Sequence, residues 1–127
     1  MNEWASEKKI NALSKKRYGK ELAAKVIEKL KKTSQMSNNH RDYCGIGLFF
    51  YSGLFTFCPV WDSMPHLDKA IISFKNDKEV IQFLAEQSDF SFSGADSKSV
   101  FSEKNEWYLN NQRINQTMIN DFLSGKL

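Results

Sequence analysis

The chain has 127 residues, 41% hydrophobic and 13% aromatic, enough to bury the core of one ordinary domain and too apolar for a disordered polymer. Its 18 Lys and Arg against 15 Asp and Glu leave a net charge of +3, and two cysteines exclude a disulfide framework. With no apolar leader behind Met1 and no paired thiols, the expectation is a cytoplasmic protein.

The charge is unevenly spread. Residues 1–41 carry 11 Lys and Arg against 4 Asp and Glu, a balance of +7; residues 42–127 carry 7 against 11, a balance of −4. The composition divides one domain, 1–127, into a basic helical segment 1–33, a polar linker 34–42 and an α+β body 43–127.

From Ser6 to Lys32 the pattern is helical in two pieces, broken at Tyr18-Gly19, because an interior glycine costs about 1 kcal/mol relative to alanine. In the second piece Leu22, Ala23, Val26, Ile27 and Leu30 form one apolar stripe, and Lys20, Lys25, Lys29, Lys31 and Lys32 lie mostly off it. Such a basic face is a solvated helix surface or a nucleic-acid contact. Ser34, Ser37, Asn38 and Asn39 mark the linker.

Tyr43 to Trp61 is a run of 19 residues without a charge. It approaches the length of a membrane helix, but Gly45, Gly47, Ser52, Gly53 and Pro59 interrupt it. Aromatic and β-branched residues around Ser52-Gly53 predict a hairpin instead, with strands over 44–51 and 54–61 and no membrane partner. Ile46, Leu48 and Phe50 share one face of the first strand; Phe55, Phe57 and Trp61 share one of the second. Pro59 marks an edge or a strand end. A turn at Ser52-Gly53 opposes Cys58 to Gly47.

Beyond Met64-Pro65, residues 70–74 read as a strand. Asn76 caps a helix, with Glu79 in the capping-box position and Val80, Ile81, Phe83 and Leu84 on its apolar face, ending near Ser88. Residues 88–104, serine-rich with Gly94, form the longest irregular stretch. Asn110-Asn111 predicts a tight turn between 107–109 and 112–114, and Asn115 caps a last helix carrying Met118, Ile119, Phe122 and Leu123 and stopped by Gly125. The fold class is therefore α+β: N-terminal helices packed on a small, mostly antiparallel sheet, with two further helices.

Catalytic chemistry finds little support. His40, Cys44, Cys58 and His66 are the only zinc-type set, and their spacing lacks the short Cys-x2–4-Cys unit of a strong zinc site. Both cysteines sit in the most apolar segment, where a thiol behaves as a small hydrophobe. His40-Arg41-Asp42 matches part of a kinase catalytic loop without its glycine-rich loop or magnesium ligands. The expectation is no enzyme, no metal and no cofactor.

Trp107-Tyr108-Leu109-Asn110-Asn111-Gln112-Arg113-Ile114, followed by a short helix, is similar to the tail of several bacterial toxin-immunity proteins. With the aromatic-rich sheet and acidic C-terminal two-thirds, the chain resembles immunity proteins of contact-dependent growth inhibition systems. The resemblance implies a non-catalytic inhibitor that docks on a cognate toxin domain, a nuclease in many cases, and blocks its active site. Under it, Asp62, Asp89, Asp96 and Glu103 are the electrostatic contacts, with Trp61 and Phe92 as exposed aromatic anchors. The alternative is a small nucleic-acid-binding protein using the basic N-terminal helices.

Overall fold

The computed structural model describes residues 13–37, 45–102 and 114–126. The elements run α1 (Lys20–Thr33), β1 (Gln35–Ser37), β2 (Gly45–Tyr51), β3 (Leu54–Trp61), β4 (Met64–Pro65), a 3-10 turn (Leu67–Lys69), β5 (Ile72–Phe74), α2 (Asp77–Glu86), α3 (Asp89–Phe92) and α4 (Gln116–Ser124). All strand pairs are antiparallel, in the order β1-β2-β3-β4, and β5 also pairs with β3. The class is α+β.

The hairpin forms as its punctuation predicts. Ser52 and Gly53 both take positive φ, the two-residue turn whose twist suits a hairpin. The resulting register sets Gly47 opposite Cys58, Leu48 opposite Phe57 and Phe50 opposite Phe55. One sheet face thus presents Met36, Ile46, Leu48, Phe55 and Phe57 to Ala23, Val26, Ile27 and Leu30 of α1, Val80 and Leu84 of α2, and Ile119 and Phe122 of α4. Phe49, Cys58 and Val60 form a second buried cluster from the other face. Apolar residues on both faces follow from a strand pair buried on both sides.

Two expectations at the N-terminal side are corrected. The described residues before Gly19 are not helical: Gly19 is the N-cap of α1 at φ 89°, and the chain ahead of it runs extended along α2 and α3. Tyr18 N–H donates to Gln87 O and Gly19 N–H to Ala85 O, both at 2.9 Å, while Phe90 N–H donates to Ser14 O at 2.9 Å. A glycine at positive φ permits this sharp entry. The segment read as a linker also contains β1, whose Met36 is fully buried opposite Leu48. Residues 38–42 of that segment, the first helical piece at 6–12 and the turn at Asn110-Asn111 lie outside the described residues.

Both later helices start where their caps predict. Asn76 Oδ1 accepts Glu79 N–H at 2.9 Å and Asn115 Oδ1 accepts Met118 N–H at 2.8 Å. Gly125 closes α4 in the left-handed conformation at φ 84°. The stretch after 88 is more ordered than its composition implied. Ser88 and Ser91 form a reciprocal capping box that opens α3, and Ser99 Oγ donates to Ser91 O at 2.8 Å.

Candidate functional site

Strand β3 returns through Asp62-Ser63, where both residues have positive φ (53° and 65°), a second two-residue turn. It pairs Trp61 with Met64 and Val60 with Pro65. The chain then leaves the sheet through His66 and the 3-10 turn, and rejoins β3 at Ile72 opposite Phe57. Two bonds pin the ends of this excursion: His66 N–H to Pro59 O at 2.9 Å and Ile71 N–H to Phe57 O at 2.8 Å.

Alternation along β3 turns the polar backbone groups of Phe57 and Pro59 toward this return strand and those of Cys58 and Val60 toward β2. The amide hydrogen that Pro59 lacks would therefore face the gap between β4 and β5. A proline sits inside a central strand because its missing donor falls where the ladder is interrupted, not because the strand ends there.

At this corner the Trp61 and His66 rings lie 4.4 Å apart. Met64 is 62% exposed and Leu67 44% exposed, the former directly across the hairpin from Trp61. Asp62 at the turn and Asp68 in the 3-10 turn are exposed, and Lys69 is the one Lys or Arg between residues 60 and 70. The surface therefore combines an aromatic pair, two exposed apolar side chains and two carboxylates, carried by the β3–β4 hairpin and the 3-10 turn that follows it.

The sequence-based site residues separate clearly on the structure. Trp61 and Asp62 share the β3–β4 turn. Asp89 is half-buried and internally bound: its Oδ1 accepts the Tyr18 hydroxyl at 2.7 Å and Gln116 N–H at 2.8 Å. It ties α3 to the N-terminal segment and to the start of α4. Asp96 accepts Lys98 N–H at 3.0 Å and so holds its own turn. Phe92 is a correction. It is fully buried against Tyr18, Phe57 and Phe101, with ring centroids 5.8, 5.4 and 5.0 Å away, and is core instead of an exposed anchor. Glu103 lies outside the described residues.

Met64 and Leu67 escaped the sequence reading, and His66 entered it only as a candidate zinc ligand. Met64-Pro65 read as a boundary because a two-residue strand has no periodicity of its own. The signal was the Asp-Ser pair after an aromatic strand, a weak form of the hairpin turn already recognised at Ser52-Gly53.

The Cys58 thiol is fully buried, and burial pushes it up to about 11, against the opposing hydrogen bond from His66 backbone and with Asp68 adding to the rise. A thiol so raised is a poor nucleophile at neutral pH. Among the described residues no three His, Cys, Asp or Glu side chains gather as a metal site, and no helix is long and apolar enough to cross a membrane. His40 and Cys44 lie outside the described residues.

The lysine face of α1 is partly engaged. Lys31 pairs with Asp77, Lys29 donates to Phe122 O and lies over the Phe122 ring, and Lys25 sits 3.6 Å from Glu21. No family model, curated protein or solved structure matches this chain.

Proposed function

We propose that this protein is a non-catalytic, protein-binding inhibitor of the toxin-immunity type, which docks on a cognate bacterial toxin domain through its β3–β4 corner. The observation that carries the reading is the exposure of Met64 and Leu67 beside the Trp61–His66 pair, bordered by Asp62 and Asp68. Large side chains held out on a rigid turn are suited to anchoring in a partner's pocket, and flanking carboxylates select a basic rim. A nuclease active-site surface, built to hold phosphates, is basic in this way.

The experiment is a pull-down from host lysate with the tagged protein, its Met64→Asp variant, and nuclease-treated and untreated arms. The reading expects one stoichiometric protein partner that survives nuclease treatment and is lost with Met64→Asp. Recovery only of nucleic-acid-dependent proteins would overturn it. A second reading, nucleic-acid binding, is favoured by the lysines of α1 and expects that latter outcome.

A further inference from the structure

The α1 lysines that the hairpin surface does not use are arranged as a stripe. Lys25, Lys29 and Lys32 stand at i, i+4 and i+7 and, with Glu28 and Leu123 of α4, line an open groove of about 570 Å³ between α1 and α4. A smaller hollow of about 200 Å³ continues past Lys29 and Phe122 to Thr33, Gln35 and Ser37. Among the described residues, Glu28 is the only acid lining either one.

From this juxtaposition we propose that the α1–α4 groove is a docking site for an acidic amphipathic helix of a partner protein. The spacing argues for a helix: cations at i, i+4 and i+7 match carboxylates of the same period on a facing helix, as in flanking charge pairs of coiled coils. Leu123, half-buried between the lysines, gives the partner's apolar stripe a contact. The lysines are available to it. Lys25 and Lys32 are exposed, and the Lys25–Glu21 pair is a surface contact that exchanges readily. Lys29 donates one of its three protons to Phe122 O and is held over the Phe122 ring, which fixes its direction while leaving donors for a carboxylate. Nucleic-acid phosphates would also seek lysines, but they would not reward the apolar floor at Leu123 or the helical period.

This site is separate from the β3–β4 corner, so its failure and the failure of the inhibitor reading are distinguishable. The probe is a fluorescent peptide of about 20 residues, long enough to hold a helix, with Glu at i, i+4 and i+7 flanking a leucine stripe. Its controls are the Glu→Gln peptide, a peptide with a central proline, and a duplex oligonucleotide. The inference expects saturable binding of the acidic peptide by the wild-type protein with a gain in peptide helicity. Binding should weaken by about tenfold or more with the Lys25→Glu/Lys32→Glu pair at unchanged melting temperature, and less with Leu123→Ala, whose side chain also packs on the core. Glu28→Lys should tighten it, a gain that loss of folding could not produce. No binding of the acidic peptide, equal binding of the proline peptide, indifference to the lysine reversals, or preference for the oligonucleotide at the same lysines would each overturn the inference.

Discussion

The Tyr18 hydroxyl and the Asp89 carboxylate meet at 2.7 Å, and the same oxygen of Asp89 accepts the first backbone N–H of α4, from Gln116, at 2.8 Å. One side chain thereby holds the N-terminal segment, α3 and α4 together. A carboxylate at a helix N-terminus is stabilised both by the hydrogen bond and by the positive end of the helix dipole. Asp89→Ala should lower stability by about 2–4 kcal/mol and Tyr18→Phe by about 1–2 kcal/mol, measured by urea unfolding. Their effects should be less than additive in a double-mutant cycle, because each removes the shared bond. Partner affinity of folded Asp89→Ala should stay close to wild type.

The same pair gives the protein an alkaline limit. Burial first, then the hydrogen bond to Asp89 and its charge, raise the Tyr18 phenol above its ordinary value. Burial raises the Cys58 thiol from 9.0 to about 11. Each folded group keeps its proton at a pH where the unfolded chain releases it, so the unfolded state is favoured as pH rises. For Cys58 the contribution is full below pH 9.0 and is lost between there and about 11, by at most ~1.4 kcal/mol per pH unit. Tyr18 adds a loss of the same sign above pH 10.0. Unfolding midpoints at about pH 8 and about pH 10.5 should show a smaller drop for Cys58→Ala and for Tyr18→Phe than for wild type.

Gly47 is required by packing. A Cβ there would lie 2.7 Å from the Phe49 ring and 2.7 Å from Ser37 Cβ, so the ring of Phe49 lies over a strand position that must carry no side chain. Gly47→Ala should cost about 1–3 kcal/mol by overpacking. The cost should shrink in a Phe49→Leu background, where the ring is gone but Ser37 remains. Thermal unfolding of the four proteins in that cycle is the measurement.

How much of this was legible depended on how local each signal is. Asn76, Asn115 and Gly125 act within one turn of helix, and Ser52-Gly53 within four residues, so each could be read from the residues alone. Strand β1 could not: Gln35-Met36-Ser37 has no strand periodicity, and only pairing with β2 makes it one. The extended segment before Gly19 is likewise held by bonds to α2 and α3, more than 60 residues later in the chain. Trp61 and Asp62 were placed at a strand end because the uncharged aromatic run stops there, and the structure sets them at the end of β3 and in the turn after it. Phe92 was misplaced because its serine-rich surroundings look exposed, whereas Ser88, Ser91 and Ser99 spend their hydroxyls on local bonds that turn the ring inward.

The first hairpin turn offers a gain. Ser52 holds φ 52°, a conformation asparagine tolerates better than serine, ahead of Gly53 at φ 78°. Ser52→Asn should raise stability by about 0.5 kcal/mol, read as a higher urea midpoint at unchanged slope. A fall in midpoint would show that the serine hydroxyl does more for the turn than its backbone preference costs.

The last prediction separates anchor from rim at the β3–β4 corner. Met64 is 62% exposed, so Met64→Ala should leave folding within about 0.5 kcal/mol of wild type. If the corner is the docking surface, that truncation should slow nothing in association but should shorten the life of the complex, since an apolar anchor acts mainly on dissociation. Asp62→Asn should do the reverse, lowering the association rate and its salt dependence with a small change in dissociation, because an exposed carboxylate steers encounter with a basic partner. Association and dissociation rates with the captured partner, at two salt concentrations, make the comparison. Equal rates for both variants and wild type would move the docking surface away from the corner, with the α1–α4 groove as the next place to look.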